Sequence, residues 1–263
     1  MTASGRTLTD LKAAADEAGV ALYELACDGG RAVVVPAWGA RILFLGTGEA
    51  NALWTSPDFA NNGLWPANYG GCRSWFSPEG GPKGIYFSAD WSDWQCPPAM
   101  DPGTYHPVGE PTGGRIALEN EFQATSNDGT AYHLRMGRTV ERGAAPTLPA
   151  DVACVPIRFT HSYVNLSQRT VDREIDLWHL VQILPGGTIL VPLVPGSDQP
   201  YRDYFEPVPG DRVAIQGECL SVAIDGARRY KLGVNQKSAA GAIAYLRTTG
   251  DTASLLVKRF AVD

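Results

Sequence analysis

The 263 residues hold no long basic run, no CxxC pair and no apolar stretch near the ~20 residues a membrane helix needs. The densest basic segment is Arg228-Arg229-Tyr230-Lys231, and the net charge is −6. A nucleic-acid partner needs a basic face, so none is expected, and neither is a membrane partner. Residues 1–10 lack the apolar core of a signal peptide. The five cysteines (Cys27, Cys72, Cys96, Cys154, Cys219) are an odd set without paired spacing. That predicts mostly free thiols in a reducing compartment, and so a cytoplasmic location. Only four histidines are present, none at HxH or HxxxH spacing, and no acidic cluster suggests calcium. No metal and no cofactor is predicted. The GxSxG of a serine hydrolase is missing. The Gly-rich stretch lacks the Lys-Ser/Thr of a phosphate loop.

Turn formers are plentiful instead. With 29 Gly and 19 Pro the chain is too punctuated for a helical bundle, and with 44% apolar residues it is too hydrophobic for disorder. One helix is predicted over 8–18. Thr7-x-x-Asp10 has the form of a capping box, Leu11, Ala14, Ala15 and Ala18 recur at helical spacing, and Gly19 is a natural stop. The rest reads as strands: 21–26, 31–35, 41–45, 114–124, 130–140, 155–166, 173–184, 188–193, 212–215, 220–224, 230–234, 242–247 and 254–260. Asp28-Gly29-Gly30, Asn127-Asp128-Gly129 and Pro185-Gly186-Gly187 are turn-type breaks between them. Many strands without alternating helices predict an all-β fold of stacked antiparallel sheets. No linker composition divides the chain, so a single domain over 1–263 is expected. Residues 51–111 stand apart, with five of the seven tryptophans and little periodicity. They are expected to form a covering loop, either pinned to the sheet by aromatic anchors or serving as a ligand wall.

Two clusters bear chemistry. In Gly70-Gly71-Cys72-Arg73-Ser74-Trp75-Phe76-Ser77-Pro78-Glu79 the paired glycines let the backbone approach a ligand closely, and Arg73 presents a fixed fork of donors. Glu79 can accept a proton or a hydroxyl, or simply pair with Arg73 across a tight turn. In Asp176-Leu177-Trp178-His179-Leu180-Val181-Gln182-Ile183, alternation puts Asp176, Trp178, Leu180 and Gln182 on one face. Leu177, His179, Val181 and Ile183 take the other. By periodicity alone Trp178 and Gln182 face a cleft and His179 faces a core. His106, inside the Trp-rich stretch, is a further substrate-binding candidate.

These two blocks resemble the galactose mutarotase-like superfamily, and more narrowly the aldose 1-epimerase-related proteins with their GG-x-R-x-W-x-x-PE and L-W-x-x-x-Q patterns. The resemblance extends from about residue 32 to 260. It implies an antiparallel β-supersandwich with a sugar-binding concave face. It also implies a histidine acid on the ring oxygen and a glutamate base on the anomeric hydroxyl. Carried over by residue, His179 takes the acid role and Arg73 binds substrate; Trp75, Trp178, Gln182 and His106 are the further substrate-binding candidates. The base glutamate that such enzymes draw from a C-terminal strand has no match, so Glu79 is assigned that role unless a partner chain supplies it. The expected activity is acid–base catalysis on a sugar ring. The alternatives are a non-catalytic sugar-binding protein or subunit of a larger complex, or a lyase on the same fold. A small-molecule carbohydrate is the expected ligand, and a partner chain or homo-oligomer is possible. Arg73, Glu79, Trp75, Trp178, His179 and Gln182 are expected to converge on one concave site.

Overall fold

The computed structural model describes residues 6–57, 68–94, 96–171, 175–204 and 206–262. Trp65 and the segment Asp172-Arg173-Glu174 lie outside them. The architecture is all-β, with several antiparallel sheets and one short α-helix. The chain groups into two compact units that meet in sequence at Ile183 and Leu184. That boundary lies two residues past Val181, the end of a strand, and just before Pro185-Gly186-Gly187, which reads in the sequence as a turn between strands.

The larger unit begins with α1 (Leu8–Ala18). The Thr7 side chain accepts from the Asp10 N–H while the Asp10 carboxylate accepts from the Thr7 N–H, and Gly19 closes the helix in the left-handed region. Ten strands follow: β1 (Tyr23–Cys27), β2 (Gly30–Val35), β3 (Arg41–Thr47), β4 (Ala50–Asn51), β5 (Cys72–Ser77), β6 (His106–Pro107), β7 (Arg115–Thr125), β8 (Ala131–Arg142), β9 (Ile157–Asn165) and β10 (Asp176–Val181). One sheet runs β1-β2-β3-β5-β10, with β4 on β3, and a second runs β6-β7-β8-β9.

Both faces of the first sheet are covered. On its outer face Leu8, Leu11 and Ala15 of α1 pack on Val33, Val35 and Leu43. On its inner face Phe76 meets Phe122 and Tyr163 of the second sheet at 6.1 and 5.5 Å between ring centres. The long strands β7 and β8 alternate buried and open residues, as a half-solvated antiparallel sheet requires.

The expectation of an irregular loop over 51–111 is corrected at its centre. Residues 72–77 form β5, an interior strand between β3 and β10. This strand is buried on both faces yet carries Arg73, Ser74 and Ser77, so polar residues fall on either side and the two-residue alternation that marks a strand is lost. The segment after β5 then returns over the outer face, where Tyr86 and Trp94 lie against Trp75.

The smaller unit holds β11 (Gly187–Pro192), β12 (Tyr201–Asp203), β13 (Val213–Gln216), β14 (Cys219–Ile224), β15 (Leu232–Val234), β16 (Ala242–Thr249) and β17 (Thr252–Arg259). A five-stranded sheet runs β13-β14-β11-β16-β17, and β12 pairs with β15. Val191, Leu193 and Leu220 form its core. Among the described residues no helix is long and apolar enough to cross a membrane. The five cysteines, all described, form no disulfide.

Candidate functional site

Strands β5 and β10 run antiparallel with Trp178 opposite Trp75, His179 opposite Ser74 and Leu180 opposite Arg73. Directly opposed residues project to the same side of a sheet, and successive residues to opposite sides. Arg73, Trp75, Trp178, Leu180 and Gln182 therefore share the outer face, while Ser74, Phe76, Leu177 and His179 share the inner one. Arg73 stands across from Leu180, so its diagonal neighbours are Trp178 and Gln182.

The outer-face group is joined by direct contacts. Arg73 Nη1 donates to Gln182 Oε1 at 3.1 Å and to Asn68 Oδ1 at 2.9 Å. Its guanidinium carbon lies 3.8 Å from the centre of the Trp75 ring. Trp178 meets Trp75 edge-on at 6.4 Å, and Trp75 Nε1 donates to Asp101 Oδ2 at 2.7 Å. Trp75 is itself buried beneath Tyr86 and Trp94, so it is a plate under Arg73 rather than a surface for a ligand. Trp178 and Gln182 are half-buried and more open than Arg73 and Trp75 beside them.

Beneath lies a buried charged network. Arg41 donates from Nη2 to both Asp101 oxygens, at 2.9 and 2.6 Å, and from Nη1 to the Gly70 carbonyl at 3.1 Å. Arg138 donates to the carbonyls of Gly39 and Ser74 and lies over the Tyr105 ring. Arg73 is 7% exposed. Burial pulls its guanidinium down to about 9, and the nearby Arg41 charge adds to the effect. Stacking on Trp75 returns ~0.5–2 kcal/mol. Removing a charge from water costs several kcal/mol, so stacking alone does not offset the burial of Arg73.

The inner face carries a different cluster. Ser74 Oγ lies 2.6 Å from His161 Nδ1. The His161 and His179 rings are 4.8 Å apart, and Phe159 meets His179 edge-on at 5.2 Å. His179 is thus between the sheets, and the expected convergence of His179 with Arg73 does not occur. Strand alternation, which put His179 on a core face, is what the structure follows here. Glu79 is half-buried beyond the far end of β5, where its carbonyl accepts from the N–H groups of Tyr86 and Phe87. From Arg73 to Ser77 alone the strand rises ~13 Å. Arg73 bonds to Asn68 and Gln182 and makes no ion pair with Glu79, and His179 stands opposite Ser74, ~10 Å of strand short of the end of β5. His106 is exposed on β6, at the edge of the second sheet, and is not part of the outer-face group.

Gly70 and Gly71 also differ from expectation. Both have positive φ, and a Cβ on either would lie within 2.4 Å of the carbonyl of Trp54 or Ile42. The approach they permit is to the protein's own backbone. The residues that sequence reasoning passed over are Asp101, Arg41 and Arg138. Arg41 heads an apolar strand, and a lone arginine there was the available signal. Among the described residues no group of three His, Cys, Asp or Glu is placed to hold a metal ion. A groove lined by Gln123, Tyr132, His133, Ser167 and Arg169 holds none of the expected site residues.

A family of unknown function, DUF6786, matches residues 19–257, across both units. The chain belongs to DUF6786. No curated protein and no solved structure matches it. The DUF6786 match includes Arg73, Trp75, Trp178 and Gln182, and it assigns none of them a role.

Proposed function

We propose that this DUF6786 protein binds a carbohydrate on the outer face of β5 and β10, in a fold of the galactose mutarotase-like kind. The observation that carries the reading is the Arg73–Gln182 contact beside Trp178, formed by residues 109 positions apart. A guanidinium and an amide supply donors and an acceptor for hydroxyls, and an indole face packs on the C–H face of a sugar ring. That combination in a partly enclosed place is how small polar rings are held. The five cysteines without a disulfide support a reducing, cytoplasmic setting.

Epimerase chemistry of the aldose 1-epimerase type is the less favoured form of this proposal. It needs an acid and a base on the two sides of one ring. His179 and Glu79 do not reach the outer face together, so that chemistry requires a base and an acid from elsewhere, such as a partner chain. Proton NMR saturation transfer on a panel of aldoses tests both forms at once. Transfer from protein to sugar, with anomer exchange at the uncatalysed rate, is expected. Accelerated anomer exchange would establish catalysis, and absence of transfer to every sugar would remove the carbohydrate reading.

A further inference from the structure

We propose that the sugar taken by this face is an acid, a uronate whose carboxylate pairs with the buried Arg73 guanidinium. This rests on the carbohydrate reading above and narrows its substrate class. The buried charged side chains among the described residues are Arg41, Arg73, Arg138 and Asp101, three cations against one anion. Asp101 is already engaged, with both oxygens on Arg41 and one also on the Trp75 indole N–H. Arg138 is spent on two backbone carbonyls and the Tyr105 ring.

Arg73 is placed otherwise. The buried Nε atoms of Arg41, Arg73 and Arg138 all lack an acceptor. Arg41 and Arg138 donate from both Nη atoms, whereas both hydrogen bonds of Arg73 to described residues leave from Nη1 and end on neutral amides. A guanidinium presents Nε and Nη2 as a planar pair of donors that matches the two oxygens of a carboxylate. The buried group is out of balance by two positive charges, and a carboxylate brings one negative charge to the cation whose Nε–Nη2 edge is not engaged. A phosphate brings nearly two and calls for further cations. The next one on this face, Arg41, is bonded to Asp101 and to the Gly70 carbonyl. With the carboxylate on Arg73, the sugar ring lies toward Trp178 and its hydroxyls toward the amides of Gln182 and Asn68.

Isothermal titration calorimetry with glucuronate and galacturonate, against glucose, galactose and glucose 6-phosphate, tests this. At least one uronate is expected to bind about 10- to 100-fold more tightly than its neutral parent, the gain typical of a charged hydrogen-bonded pair. Arg73→Lys keeps the charge and loses the fork, and should reduce that preference at least tenfold. Gln182→Glu sets an internal carboxylate against Arg73 with almost no change of shape. It should raise the melting temperature and shrink the acid-to-neutral preference to within threefold, and it decides the matter if Arg73→Lys fails to fold. Equal affinity for acid and neutral sugars overturns this inference and leaves carbohydrate binding standing. Tighter binding of glucose 6-phosphate than of either uronate overturns it in favour of a phosphate. Binding of none of the five removes both readings.

Discussion

Arg73 sits well below the range of an arginine in water, at about 9, because burial opposes its charge and Arg41 repels it. Only the protonated guanidinium can pair with an anion, and a sugar carboxylate stays ionised throughout the neutral and alkaline range. Uronate affinity should therefore be level from pH 6 to 8 and fall about tenfold per unit above about pH 9. A profile flat to pH 11 would show that Arg73 does not carry the interaction. The same shift bears on stability with a definite sign. The folded value lies below the unfolded one, so the charged guanidinium weighs against folding below about pH 9, and that cost is relieved as pH rises beyond it. Arg73 was legible in the sequence, set off by the paired glycines and the tryptophan after them. Its surroundings were not, because Gln182 lies 109 residues from Arg73, and the Asp101 bonded to Trp75 lies 26 residues from that tryptophan. Nothing local to Arg73 records them.

Between elements, the decisive fact is the two-residue period of a strand. β10 presents Trp178 and Gln182 to one side and His179 to the other, which alternation indicates and the pairing with β5 bears out. Neighbouring residues of one strand should then answer to different measurements. Trp178→Ala is expected to weaken sugar binding about tenfold with a small effect on melting. His179→Ala, removing a ring packed on Phe159 and His161, should cost about 1–3 kcal/mol in urea unfolding. If His179→Ala instead lowers affinity and spares stability, the inner-face placement is wrong. Helix α1 was legible down to its ends, since a capping box and a C-terminal glycine are local signals. Strand β5 was not, because Arg73, Ser74 and Ser77 put polar groups on both of its faces and leave no alternation to betray its period.

For the whole molecule, five cysteines without a disulfide mean that reductant has nothing to break. Thermal melts with and without dithiothreitol should agree within about 1 °C, since loss of a native disulfide typically costs ~2–5 kcal/mol. A clear fall in reductant would expose a covalent link. The sequence by itself determined the class: turn-rich composition and two-residue periods leave antiparallel sheets as the way to bury this much apolar surface. It also determined the helix and the facing of β10, because these depend on neighbours within a few positions. The tertiary structure alone decided which residues meet. Burying Arg41 requires Asp101, and burying Arg73 against Trp75 draws in Asn68 and Gln182, contacts made by chain closure over tens of residues. It likewise decided that the chain divides beside β10, since compactness is counted in contacts that no stretch of sequence contains.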